Sequence, residues 1–86
     1  MVAMVKPSGP GLVERMRKAG IRVTSPRRAV ARVLEESRDH LTVEEITERA
    51  KALDSSVHRA TVYRTLGMLK GLGLVDELDL LHLRGD

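Results

Sequence analysis

The chain is 86 residues long, carries a formal net charge of +3 and contains no cysteine. A chain this short forms one small domain with a thin core, which leaves little material for the walls of a large catalytic cleft. The missing cysteines exclude disulfides, thiolate zinc sites and a cysteine nucleophile. The first residues include no apolar run long enough for a signal peptide or a membrane span, so we expect a cytoplasmic protein that does not enter membranes.

The charge is distributed unevenly along the chain. Residues 1–70 contain 14 Lys and Arg against 8 Asp and Glu, whereas residues 71–86 contain 1 against 4. A basic body suits contact with a polyanion such as DNA. The same surplus also fits a surface that only keeps the protein in solution, so charge alone leaves both interpretations open.

The first part of the chain predicts a lead-in and two helices. Residues 1–10 include proline and glycine breakers and are predicted to be flexible. The first helix is predicted over 11–19, with Gly20 just past its end, where glycine commonly terminates a helix. The second helix is predicted to begin with Ser25 as its N-cap and Pro26 at the first helical position.

The third helix has the strongest start signal in the sequence. Thr42 is predicted to be its N-cap and Glu45 stands three residues later, which is the spacing of a capping box. Leu41 and Ile46 have the spacing of the hydrophobic staple that accompanies such a box. The apolar face of this helix is predicted to continue to Leu53.

A fourth helix and a strand complete the pattern. The helix is predicted over about 58–70, and the residues over 74–83 read as extended. This order of elements is typical of a winged helix-turn-helix, a mostly α fold of about four helices with a small β wing of one strand or a hairpin. We expect residues 11–86 to form this domain, with the wing truncated at its C-terminus because no returning strand follows.

The outward face of the fourth helix carries the candidate DNA contacts. Tyr63 is the only aromatic residue, and a helical wheel turns it outward together with Ala60 and Arg64. A tyrosine ring can pack on a thymine methyl, and an arginine can pair with guanine or with phosphate. Arg59 and Thr61 lie at the start of the helix, where free backbone N–H groups favour phosphate. The alternative is that Tyr63 is half-buried against a neighbouring helix.

Four segments of the sequence resemble the ferric uptake regulator family of metal-dependent repressors. They are the runs 20–27, 40–46, 60–66 and 71–75, and the most specific is Ala-Thr-Val-Tyr-Arg-Thr-Leu at 60–66. The likeness covers about residues 11–83 in register. It implies a fold of four helices with a two-stranded wing, which is the N-terminal DNA-binding domain of a regulator that binds a double-stranded operator.

The resemblance also implies roles for individual residues. Tyr63 is expected to contact a base and Arg64 the DNA backbone. Arg22 is expected to reach into an adjacent minor groove, and Arg27 follows it in the same basic segment. His58 departs from the pattern, because the family often has a serine or another small capping residue there, and histidine is a weaker cap.

The resemblance gives a metal-binding role to His40 alone. The spacing of the three histidines indicates no metal site by itself, and the co-ligands that the family implies for His40 lie outside this chain. We expect the family's dimerisation and metal-binding domain to be absent from these 86 residues. We therefore expect no cofactor and a monomer for this chain, and a homodimer with a divalent metal (Fe, Zn, Mn or Ni) for the full-length protein.

Two further functions were weighed against sequence-specific DNA binding. A winged helix can serve only as a protein-interaction module, although the outward Tyr63 and Arg64 disfavour that interpretation. An enzyme is disfavoured because the sequence has no nucleophile with a base at hand, no glycine-rich phosphate loop and no paired carboxylates in a predicted pocket. We therefore expect a DNA-binding repressor domain that is not an enzyme.

Overall fold

A computed structural model describes residues 11–36 and 41–74 in full, and the backbone of residues 3–4 and 77–78. These ranges contain four helices, and none of them has the length and hydropathy of a membrane span. The chain is therefore mostly helical, as the sequence predicts. The helices are α1 (Leu12–Lys18), α2 (Ser25–Glu36), α3 (Val43–Leu53) and α4 (Arg59–Gly71).

A two-residue antiparallel ladder joins the beginning of the chain to the segment after α4. The strands are β1 (Ala3–Met4) and β2 (Glu77–Leu78), with Ala3 opposite Leu78. The sequence analysis predicted no partner strand for the segment after α4, and β1 pairs with that segment at these two positions. The flexibility of residues 1–10 stays a prediction. The remainder of the predicted wing lies outside the described residues.

Helix α1 ends at a glycine in the manner that the sequence predicts. Gly20 has a φ of 84°, in the left-handed region that glycine adopts without a steric penalty. The Ile21 N–H donates to the Met16 carbonyl at 2.9 Å, and the Gly20 N–H donates to the Arg17 carbonyl at 2.9 Å. These two bonds form a Schellman motif, which satisfies carbonyls left open at the helix end.

The start of α1 is capped by a residue from another helix. Gly11 occupies the N-cap position and offers no side chain. The carboxylate of Glu35, on α2, instead accepts a hydrogen bond from the Leu12 N–H. Because Glu35 is 23 positions away in sequence, no local pattern around α1 predicts this cap.

The start of α2 corrects the sequence-based prediction by one residue. The Thr24 side chain accepts the Arg27 N–H at 3.4 Å, and the Thr24 carbonyl accepts the Arg28 N–H at 2.9 Å. Thr24 is therefore the N-cap, and Ser25 is the first helical residue rather than the cap. The Ser25 hydroxyl does not cap the helix and instead donates to the Asp54 carboxylate.

The start of α3 confirms the predicted capping box. The Glu45 N–H donates to the Thr42 side chain at 3.0 Å, and the Thr42 N–H donates to the Glu45 carboxylate at 2.9 Å. Leu41 and Ile46, the predicted staple, are both buried. The other end of α3 differs from the prediction, since Leu53 is 52% exposed and does not continue the buried face.

One aliphatic core holds the helices together. It draws on all four helices, and Val57, in the turn before α4, is fully buried although the sequence analysis did not assign it to the core. Burying such side chains contributes about 1.5–3 kcal/mol each relative to exposure. The largest fully buried aliphatic residues are Met16, Leu34, Ile46, Leu66, Leu69, Val30, Val43, Val57 and Val62.

Candidate nucleic-acid interface

Helix α4 has one face in the core and one face in solvent. Its buried side includes Val62, Leu66 and Leu69, together with Thr65, whose hydroxyl donates to the Thr61 carbonyl at 2.7 Å. That bond lets a polar residue lie in the core without an unsatisfied group. The exposed side carries the predicted DNA-contact residues Arg59, Ala60 and Arg64, and also Gly67.

Tyr63 lies at the edge between these two faces. Its side chain is partly buried and packs against the core. The half-buried alternative describes this side chain, and its contact with DNA stays a prediction. Within the described part of the chain, the hydroxyl has no hydrogen-bond partner. A ring fixed by packing on one side, with a polar tip in solvent, is a rigid contact element for a ligand surface.

Arg64 follows Tyr63 on the fully exposed part of the helix. Its guanidinium has no ion pair or hydrogen bond with any residue in 11–36 or 41–74. With respect to the described residues, its five N–H donors are therefore available to an acceptor such as phosphate or a guanine edge.

The start of α4 is open. His58 is the N-cap residue, with extended backbone (φ −124°, ψ 166°), and its side chain makes no capping hydrogen bond. The Thr61 hydroxyl accepts a long hydrogen bond from the His58 backbone N–H at 3.5 Å, as in one half of a capping box. The His58 side chain provides no acceptor for the backbone N–H groups of the first turn, which carry the positive end of the helix dipole.

Arg59, the first helical residue of α4, is paired with α3. Its guanidinium contacts the carboxylate of Glu44, and both side chains are more than half exposed. The sequence analysis predicted Arg59 as a phosphate contact and did not identify this partner. The pair lies in a shallow hollow between the two helix starts, which is also lined by Glu45, Thr47, Glu48, Lys51 and His58.

The basic segment before α2 is held near the start of α4. Arg22 is exposed, and the Arg27 guanidinium donates to the Arg22 carbonyl at 2.7 Å. The next residues of this segment reach the turn between α3 and α4, because the Ser25 hydroxyl donates to Asp54. The structure therefore ties the segment that carries Arg22 and Arg27 to the turn that precedes α4.

Asp54 connects this segment to the turn. The Ser56 N–H and hydroxyl both donate to its carboxylate, at 2.9 and 2.6 Å. The Ser25 hydroxyl first, and then these two Ser56 bonds, hold the pKa of Asp54 below its ordinary value of 3.8. No local sequence pattern predicts that Ser25 is a partner of Asp54, because the two residues are 29 positions apart.

The predicted metal ligand, His40, falls outside the described residues. His58 is exposed at the start of α4. Across residues 11–36 and 41–74, no three His, Cys, Asp or Glu side chains come together in an arrangement that holds a metal ion. The chemistry available on the described surface is thus contact with an anion through arginines, backbone N–H groups and one tyrosine.

Comparisons with known proteins indicate a single family. Residues 18–83 match the ferric uptake regulator family. The chain is 40% identical over 66 residues to the ferric uptake regulation protein of Brucella abortus, covering 77% of this chain and 47% of that protein. It is 38% identical over 68 residues to the ferric uptake regulation protein of Rhizobium leguminosarum bv. viciae, covering 79% and 48%. It is also 38% identical over 63 residues to the peroxide-responsive repressor PerR of Staphylococcus epidermidis, covering 73% and 42%.

Proposed function

The chain belongs to the ferric uptake regulator family, and we propose that it is the DNA-binding part of a metal-responsive transcriptional repressor. The observation that carries this proposal is the solvent-facing side of α4, where the half-buried Tyr63 stands next to the exposed Arg64 above a buried aliphatic face. We propose a winged helix-turn-helix, with α3 and α4 as the two helices and α4 as the recognition helix in the major groove.

Each proposed contact follows from the position of its side chain. Tyr63 would read a base, because its ring packs partly on the core while the side chain stays partly accessible from outside. Arg64 would bind phosphate or guanine with a guanidinium that is unpaired within the described chain. Ala60 is small and exposed, so it lets the helix approach the floor of the groove.

Two further groups of contacts extend the surface. Arg59 and Thr61 lie at the open start of α4, where backbone N–H groups favour a phosphate. Arg22 and Arg27, held near the same end through Ser25, would contact the backbone or the adjacent minor groove. The ordered arrangement of these residues around one helix start supports DNA binding over a protein-interaction module.

The whole regulator extends beyond this chain in the proposal. The chain spans about half the length of the curated relatives that it matches, and we propose that the full-length protein is a cytoplasmic homodimer that needs a divalent metal. His40 stays a proposed ligand of that metal. The described residues offer no ligand set of their own, so no contact proposed here depends on a metal.

A selection from random duplex DNA, followed by a salt titration, tests the proposed function. The chain should enrich a common sequence, and its affinity for that sequence should fall as salt rises, by counterion release. Arg64→Ala should weaken binding to all sequences and lower the salt slope by about one unit. If the chain enriches no sequence and its DNA affinity does not change with salt, the protein-interaction alternative is supported instead.

A further inference from the structure

The ion pair between Glu44 and Arg59 has a consequence for DNA affinity. Arg59 is the first residue of α4, at the helix end that the proposed function places against phosphate, yet its guanidinium contacts the carboxylate of Glu44 on α3. We propose that Glu44 competes with DNA phosphate for Arg59, and so limits the affinity of this surface for DNA of any sequence. The inference rests on the proposed function and adds a residue that opposes binding.

The exposure of the Glu44–Arg59 pair allows a phosphate to replace Glu44 as the partner of Arg59. The Glu44 and Arg59 side chains are 58% and 59% exposed, so water screens their attraction. Exposed pairs of this kind change an equilibrium by about two- to fivefold. A phosphate can therefore displace the carboxylate of Glu44, but its affinity for Arg59 is lowered by about the same two- to fivefold.

The charge of Arg59 also indicates that Glu44 limits DNA affinity. An arginine already neutralised by a carboxylate adds little to the attraction of a polyanion, whereas a released arginine adds one phosphate contact and its counterion release. Removing Glu44 should therefore raise both the affinity and the steepness of its salt dependence. A moderate backbone attraction has a use, because genomic DNA offers very many competing sites.

Glu48 provides a matched control on the same helix. It is exposed, lines the same hollow as Glu44 and has no ion pair with any residue in the described ranges. Glu44→Gln and Glu48→Gln remove the same charge from the same surface, but only the first removes the partner of Arg59. Any difference between these variants therefore reports on Arg59 rather than on general repulsion.

The experiment measures binding of the 86-residue chain and its variants to a fluorescently labelled DNA duplex of arbitrary fixed sequence, over a range of salt. Circular dichroism first confirms that each variant has the helical content of the parent chain. We expect Glu44→Gln to bind about two- to fivefold tighter than the parent chain, with a salt slope steeper by about 0.9. Glu48→Gln should show a smaller gain and an unchanged slope.

An Arg59→Ala background completes a double-mutant cycle. Adding Arg59→Ala should remove the extra affinity of Glu44→Gln, and it should weaken the parent chain less than it weakens the Glu44→Gln variant. Equal gains from the two glutamine variants, or a gain that persists without Arg59, would overturn the inference and leave the proposed function standing. A parent chain that binds no duplex even at low salt would overturn both.

Discussion

The starts of α3 and α4 are built in opposite ways. Thr42 and Glu45 close the start of α3 with two reciprocal hydrogen bonds, whereas the His58 side chain leaves the start of α4 without a capping bond. The closed start contributes to stability, because it satisfies N–H groups internally. The open start keeps its N–H groups for a ligand, and it is the one that lies beside the exposed Tyr63 and Arg64 face. A helix start that lacks its expected cap is therefore informative about function.

The largest effect on DNA binding is expected at Tyr63, whose side chain packs on the core and is partly exposed. Tyr63→Ala should weaken binding to a selected DNA sequence by about 1–3 kcal/mol, because it removes a base contact. It should also lower the free energy of unfolding, since the ring packs partly on the core. DNA titration and thermal unfolding measure the two effects.

Tyr63→Phe separates these contributions, because it keeps the ring and removes only the hydroxyl. It should unfold like the parent chain and lose only part of the DNA affinity. A Tyr63→Ala variant that is strongly destabilised but binds selected DNA normally would show that the residue serves the core alone.

The closed start should respond through stability. Thr42→Ala should lower the free energy of unfolding by about 0.5–2 kcal/mol, because it opens the capping box. Thr47→Ala is the matched control: its hydroxyl donates to the Val43 carbonyl at 2.7 Å inside the same helix and caps nothing. Chemical denaturation compares the two variants. Equal losses would mean that the capping box adds nothing beyond the deletion of a threonine side chain.

Closing the open start should produce a smaller change of opposite sign. His58→Ser supplies a capping hydroxyl and should raise the free energy of unfolding by about 0.5–1 kcal/mol. It should also weaken DNA binding, because the hydroxyl competes with phosphate for the first-turn N–H groups. His58→Ala removes the same imidazole without adding a cap. If the serine and alanine variants bind DNA equally, the open start has no role in the interface.

The smallest effect concerns the turn that positions the open start. The pKa of Asp54 is lowered by hydrogen bonds from Ser25 and Ser56. Stability from this carboxylate is therefore fully present above its ordinary pKa of 3.8 and is lost as the pH falls through the lower folded value. An NMR titration of the Asp54 carboxyl should give a pKa below 3.8 in the parent chain and a higher one in Ser25→Ala. An identical titration in both would show that Ser25 does not hold the turn.

The sequence predicted those parts of the fold whose signals are local. The capping box at Thr42 was predicted correctly because all of its members lie within four residues. The start of α2 was misplaced by one residue because Thr24 and Ser25 are both good caps, and the choice depends on Asp54, far away in sequence. Leu53 was assigned to the core because periodicity alone does not show where a helix extends past its neighbours.

The candidate site was predictable on α4 and not beyond it. The helical wheel correctly turned Ala60 and Arg64 to the exposed side, because a helix fixes the direction of each side chain. The ion pair of Arg59 with Glu44 joins two helices, and no spacing rule relates residues that meet only through tertiary packing. The same reason left Tyr63 between two interpretations, since its burial depends on the neighbouring elements.

The cap that Glu35 provides for α1 couples the formation of α1 to that of α2. Until α2 is in place, the Leu12 N–H lacks the carboxylate that accepts its hydrogen bond. A seven-residue segment is also too short to be stable as an isolated helix. Helix α1 therefore forms only when α2 is available to pack against it, and the amide protons of both helices should exchange with solvent as one cooperative unit.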